Sequence, residues 1–100
     1  MTDKRNEILR AAANATAPVT GPRKLYEIAR EIKNDWRQQK SGIYFGAEPY
    51  LEAMFSLSTM QDMYGCDTAQ YIVTYFLANA RTWTGPVAKR VKAELKQMAK

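Results

Sequence analysis

The sequence contains no histidine and only one cysteine, Cys66. Histidine is the commonest general base and a frequent zinc ligand, so its absence excludes the usual nucleophile–base pairs and histidine-based metal sites. A single cysteine permits neither an intrachain disulfide nor a thiolate metal cage. We therefore predict a protein that is not an enzyme, with no catalytic residue, no metal site, no cofactor and no small-molecule substrate.

Long apolar runs are also missing. No segment approaches the roughly 18 consecutive apolar residues of a membrane-spanning helix. The amino-terminal residues lack the continuous apolar core of a secretory signal. We therefore expect no membrane partner and a cytoplasmic location in a reducing compartment, which suits one free cysteine. Strand-like alternation is absent outside the short segment 43–45.

The composition is that of one globular domain. The 100 residues are 46% apolar and 25% charged, ordinary values for a folded chain. Residues 1–21 have few apolar anchors and a Pro/Gly joint, and they are predicted to form a weakly packed arm or a short helix plus linker. Residues 22–100 are predicted to form a single helical domain.

Helical spacing of apolar residues predicts an all-α fold, a compact bundle of four to five short helices. Two Thr-Gly-Pro triplets, at 20–22 and 84–86, place a proline in the first turn of a helix. Ser58 and Gln61 have capping-box spacing, as do Asp67 and Gln70. Gly65 is expected to end a helix in the left-handed conformation. The predicted helices are 22–39, 49–56, 59–64, 68–83 and 86–99.

The segment 68–83 is predicted to be the central helix, because it is apolar over most of its circumference. Phe76 and Trp83 lie within its apolar arc. The connection 41–47 contains three large apolar residues, Ile43, Tyr44 and Phe45. Such residues in a loop ordinarily turn inward, so we expect them to pack on the bundle.

Charge is unevenly distributed along the chain, which has a net charge of +5. Residues 41–66 carry three acids and no base, whereas 22–40 and 84–100 are basic. Such basic segments are compatible with a phosphate backbone as partner and equally with a solvated surface. The candidate nucleic-acid-binding residues are Arg30, Lys33 and Arg37 on one predicted helix and Lys89, Lys92 and Lys96 on another.

Tyrosines are numerous for so small a core. Their rings pack while their hydroxyls stay hydrated, which favours them at protein interfaces. Tyr71 and Tyr75 extend around the back of an already apolar helix. Core filling is the competing interpretation. The candidate partner-binding residues are Tyr71, Tyr75 and Tyr44.

Two further groups are interpreted as structural. Glu27, Glu31 and Asp35 recur every four residues and predict a solvated acidic face that pairs with neighbouring bases, rather than a metal or acid–base site. Cys66 precedes a helix start, but without histidine it cannot form a Cys–His site. It is interpreted as a buried or tolerated thiol.

Four segments carry a family resemblance. They are KLYEIAREIKNDW, YFGAEPYLEAM, MYGCDTAQYIVTYFLANARTW and GPVAKRVKAELKQM, in this order. Over roughly residues 24–98 the chain resembles a family of small uncharacterised proteins encoded by bacteriophages and related mobile elements. That family has no established activity, so no functional residue is carried over. The resemblance implies a phage, prophage or plasmid context.

Together these features predict a non-enzymatic accessory protein that binds a host or phage macromolecule and interferes with host machinery. Its partner is expected to be a protein of the host or phage, or a second copy of the chain. The alternative is a small basic nucleic-acid-binding accessory protein that uses the two basic helices.

Overall fold

The computed structural model describes residues 23–100. The predicted arm, residues 1–21, and the first Thr-Gly-Pro triplet lie outside the described residues. The elements are α1 (Leu25–Trp36), α2 (Glu48–Met54), β1 (Met63–Tyr64), β2 (Asp67–Thr68), α3 (Ala69–Ala78) and α4 (Pro86–Met98). Helices α2 and α4 each pack against both α1 and α3. This arrangement confirms the predicted all-α fold as a small helical bundle.

Three aromatic rings form the centre of the core. Trp36, at the end of α1, stacks on Trp83 with ring centroids 5.8 Å apart. Phe76 of α3 meets both tryptophans edge-on, with centroid distances of 6.1 and 6.4 Å. The predicted central segment is deeply packed, since six of its residues are buried: Ala69, Ile72, Val73, Phe76, Ala80 and Trp83.

Helix α3 ends earlier than predicted, at Ala78 rather than at residue 83. The Asn79 side-chain amide donates to the carbonyl of Tyr75 at 2.9 Å, and the chain then turns. Trp83 enters the core from this turn, where its indole N–H donates to Asp35 at 2.9 Å. The apolar spacing therefore reported burial correctly, although the last buried residues are not helical. Thr68, not Asp67, caps the helix by accepting from the Tyr71 amide.

The predicted helix 59–64 is wrong. The carboxylate of Asp62 accepts from the backbone amides of Ser58 and Thr59, at 2.8 and 3.2 Å, and holds this segment in a turn. A two-stranded antiparallel hairpin follows, in which Met63 pairs with Thr68. Gly65 has the predicted left-handed conformation, with φ of 63°, but it serves the hairpin turn instead of a helix end.

Helix α1 starts at Leu25, three residues later than predicted, and its first amides, which have no partner within a helix, donate to another segment. The amides of Leu25 and Tyr26 donate to the carbonyls of Ser58 and Leu57, both at 3.0 Å. This contact ties the start of α1 to the segment after α2. Helix α4 matches its predicted range within one residue, with Pro86 in the first turn. No helix within residues 23–100 is long and apolar enough to cross a membrane.

Candidate functional site

Tyr71 and Tyr75 lie one turn apart on the outer face of α3, where Tyr71 is 48% exposed and Tyr75 39% exposed. Their rings meet edge-on with centroids 4.5 Å apart, and the Tyr71 hydroxyl donates to the Tyr75 hydroxyl at 3.0 Å. This hydrogen bond raises the pKa of Tyr71, and the charge of nearby Asp67 adds a smaller effect in the same direction. The pair is therefore exposed yet held in one arrangement.

The aromatic surface continues from this pair onto α2 and the loop before it. Tyr50 stacks on Tyr75 at 5.7 Å between ring centroids. Tyr44 and Phe45 contact each other at 4.9 Å. We name the tyrosine surface from its members: Tyr44, Phe45, Tyr50, Tyr71 and Tyr75.

Gly46 lies between the Tyr44 ring and the Asn79 side chain, at one edge of the tyrosine surface. A Cβ atom at position 46 would lie 2.5 Å from the Tyr44 ring and 3.2 Å from the Asn79 side-chain oxygen. The Tyr44 ring thus lies over Gly46 next to Asn79, which in turn is bonded to the Tyr75 carbonyl. A groove of about 470 Å³ opens here, lined by Tyr44, Ala78, Asn79, Arg81 and Thr82.

The expectation that the loop 41–47 tucks its rings inward is wrong for two of its three large residues. Ile43 is half-buried against the core, but Tyr44 is 42% exposed and Phe45 is 75% exposed. Phe45 and Tyr50 were not among the predicted partner-binding residues. Phe45 could have been identified from its position between two loop glycines, because a short Gly-flanked loop offers little cover.

The predicted basic residues do not form one surface. Helix α1 packs beside α4 through carboxylates: Arg23 donates to Glu94 at 2.6 Å and to Glu31 at 2.9 Å, and Arg90 also pairs with Glu31. At 100° per residue, Arg30, Lys33 and Arg37 lie on the flank of α1 away from this seam. Lys89 and Lys96 likewise lie on the outer flank of α4. An acid-containing seam therefore separates the two basic groups.

Two of the predicted cations have structural partners. Lys33 pairs with Glu52 of α2 at 3.5 Å and lies 5.6 Å from the Phe55 ring centroid. The Lys92 ammonium donates to the Trp83 carbonyl at 2.6 Å and lies over the Trp83 ring at 5.8 Å. Burial, and then repulsion from Lys96, lower the pKa of Lys92. Arg30, Arg37, Lys89 and Lys96 are exposed, with no ion pair to another residue of the range 23–100.

The predicted acidic face of α1 is structural. Glu27 accepts from the Lys24 amide at 2.9 Å, Asp35 accepts from Trp83, and Glu31 belongs to the arginine network. Burial tends to raise the pKa of Glu31, but hydrogen bonds from Arg90 and Arg23 outweigh it and leave that pKa lowered. Within the described part of the chain, no cluster of carboxylates or thiols could hold a metal ion.

Cys66 lies exposed in the hairpin turn, beside Gly65. Of the two predicted alternatives, a buried thiol is therefore wrong and a tolerated, exposed thiol remains, because a hairpin replaces the helix expected before it.

The chain matches no protein-family model, and comparison with curated proteins and with solved structures also gives no match.

Proposed function

We propose that the protein is a non-enzymatic accessory protein of a phage or mobile element, and that it binds a host or phage protein through the tyrosine surface. The observation that carries this proposal is the set of exposed rings on α3 and on the loop before α2, with the half-buried Tyr50 of α2 stacked on Tyr75. Exposed aromatic residues gathered in one patch are typical of interaction sites, whereas scattered single residues are not.

The core does not need these rings. Twenty apolar residues are already buried, and the largest fully buried side chains are Trp36, Trp83 and Phe76. The three tyrosines Tyr44, Tyr71 and Tyr75 remain exposed beside this packed core. Their exposure supports partner binding over the competing interpretation that they fill the bundle.

The tyrosine pair also suits binding because it is ordered in advance. The bond between the Tyr71 and Tyr75 hydroxyls and the stacking of Tyr50 on Tyr75 restrict the ring positions. Side chains that are already restricted lose less entropy when a partner docks. We propose interference with host machinery, in the cytoplasm of the bacterial host, as the role of this interaction.

The test is affinity capture from bacterial host lysate, with and without nuclease. The expected result is a protein partner that is retained despite nuclease and lost from the Tyr71→Ala/Tyr75→Ala variant, because a few aromatic anchors carry most interface energy. The matched control is Tyr64→Ala. Tyr64 has the same 48% exposure as Tyr71 but no ring contact with the tyrosine surface.

A melting curve accompanies each variant, so that loss of capture with unchanged melting is assigned to the surface. The Tyr71→Phe and Tyr75→Phe variants keep the rings and are expected to retain capture. Capture that survives the double alanine change in a folded protein would refute the proposal.

A second candidate is nucleic-acid binding by the exposed cations Arg30, Arg37, Lys89 and Lys96. Their exposure favours it. The engagement of Lys33 and Lys92 within the protein, and the seam of paired glutamates and arginines between the two basic groups, weigh against it. Recovery that depends on intact nucleic acid would favour this candidate over the first.

A further inference from the structure

The tyrosine surface belongs to a part of the chain without positive charge. Residues 41–80, which form α2, the hairpin and α3, contain four acids and no lysine or arginine. Glu52 pairs with Lys33, and Asp62 holds the turn at Ser58. Two acids, Glu48 and Asp67, are exposed and form no ion pair with another described residue.

Both residues lie at the start of a helix that carries rings of the tyrosine surface, Glu48 at α2 and Asp67 just before α3. Glu48 starts α2 directly beyond the Phe45 loop, and its amide donates to the Phe45 carbonyl. Asp67 directly precedes Thr68, whose hydroxyl caps α3 by accepting from the Tyr71 amide at 3.2 Å. The Tyr71–Tyr75 pair therefore lies beside negative charge, which attracts a cation and repels a phosphate. At the Tyr44 end, Arg81 also lines the groove.

The protein itself already pairs cations with rings elsewhere. Among residues 23–100, Lys33 lies over Phe55 and Lys92 lies over Trp83. The exposed rings of Tyr44, Tyr71 and Tyr75 have no such cation within the same range. An aromatic face beside a carboxylate, without a cation of its own, is suited to a cation supplied by a partner.

We infer that the tyrosine surface docks an arginine-bearing segment of its protein partner, whose guanidinium groups stack on the tyrosine rings and pair with Glu48 and Asp67. This inference rests on the proposed function and names the chemistry of the partner. Arginine fits better than lysine because its planar guanidinium is weakly hydrated and stacks on rings while its N–H groups still reach a carboxylate.

The test titrates the isotope-labelled full chain with a short peptide of Arg-Gly-Ser repeats, followed by amide chemical shifts. Matched peptides carry Lys or Glu in place of Arg. The arginine peptide is expected to shift residues 44–50 and 67–79 and to bind about two- to fivefold more tightly than the lysine peptide, the advantage of a modest cation–π contact. The glutamate peptide is expected not to bind.

Variants then distinguish the contribution of the tyrosine rings to peptide binding from that of the two carboxylates. Tyr71→Ala/Tyr75→Ala is expected to abolish the preference for arginine over lysine, while Tyr64→Ala keeps it. Glu48→Gln/Asp67→Asn is expected to weaken both basic peptides alike and to reduce the salt dependence of binding. Melting curves confirm that each variant is folded.

Three results would overturn the inference: equal affinity for the arginine and lysine peptides, shifts confined to other surfaces, or sedimentation as a dimer through the tyrosine surface. The lysate experiment separates this failure from that of the proposed function. If capture needs Tyr71 and Tyr75 but the arginine peptide does not bind, the partner-binding function stands and the arginine inference falls. If the Tyr71→Ala/Tyr75→Ala variant still captures the partner, the proposed function itself is refuted.

Discussion

The α2–hairpin–α3 region and the α1–α4 pair differ in which of their charged side chains form ion pairs and in which side chains they expose. In the seam between α1 and α4, Arg23 and Arg90 share Glu31, and Arg23 also pairs with Glu94. The outer flanks of this helix pair carry the exposed cations Arg30, Arg37, Lys89 and Lys96. In the α2–hairpin–α3 region, exposed rings and unpaired acids remain. The two regions therefore differ in the sign of their unpaired charge. Among the described residues, the exposed large apolar and aromatic side chains all lie in residues 44–75, on the side without lysine or arginine.

The two regions meet at Phe76, so the largest expected effect comes from removing this side chain. We predict that Phe76→Ala destabilises the protein by about 3–5 kcal/mol, because the ring is fully buried against both tryptophans. Urea unfolding measures the change. A loss below about 1 kcal/mol would mean that the two regions do not share this core.

The next effect concerns the hydrogen bond that fixes Trp83 to α1. We predict that Asp35→Ala costs about 1–3 kcal/mol, because the indole N–H of a buried tryptophan loses its acceptor. Asp35→Asn is the control, since its amide oxygen can still accept, and it is expected to cost less. Equal unfolding free energies for the two variants would contradict the prediction.

Lys92 contributes to the stability of the fold, in contrast to the exposed cations Lys89 and Lys96. We predict that Lys92→Gln lowers the unfolding free energy by about 1 kcal/mol, because its ammonium caps the Trp83 carbonyl. Lys89→Gln/Lys96→Gln is expected to leave stability unchanged.

If the basic groups bind duplex DNA, the Lys89→Gln/Lys96→Gln double change should flatten the slope of log K against log salt concentration by roughly 2 units. No DNA binding at low salt would remove the nucleic-acid candidate.

The smallest effect is the pH dependence of the arginine network. Because the pKa of Glu31 is lowered in the folded state, its contribution is present above the unfolded pKa, about 4.3, and is lost as pH falls through the folded value. We predict that Glu31→Gln flattens the acid limb of stability by less than about 1 kcal/mol, since the pair is partly solvated. Glu48→Gln serves as the control in urea titrations at several pH values. An identical acid limb in the wild type and Glu31→Gln would contradict it.

Periodicity predicted burial better than it predicted helix bounds. The spacing of Phe76, Ala80 and Trp83 identified three buried residues, yet Ala80 and Trp83 lie beyond the helix. Periodicity reports which side chains face the core, and a turn with suitable hydrogen bonds can present them equally well. The Asn79 bond and the distant acceptor Asp35 decide the outcome, and neither can be inferred from local spacing.

Capping patterns were less informative for the same reason. Ser58 and Gln61 have the spacing of a capping box. However, the Asp62 carboxylate accepts hydrogen bonds from the Ser58 and Thr59 amides, and the chain turns into a hairpin instead of a helix. For the candidate site, Tyr71 and Tyr75 were identified because the apolar arc of their segment was already full. The cluster with Tyr50 and Tyr44 depends on how α2 packs on α3, which no single segment encodes.

The stacked tryptophans provide an intrinsic fluorescent probe of the core. The chain has two tryptophans, and Trp36 and Trp83 are both fully buried in the core, away from the exposed tyrosines. Their fluorescence therefore reports the integrity of the core, and no ring of the tyrosine surface stacks on either tryptophan. One sample can thus be monitored for unfolding by its own emission while docking is followed by a dye on the exposed Cys66.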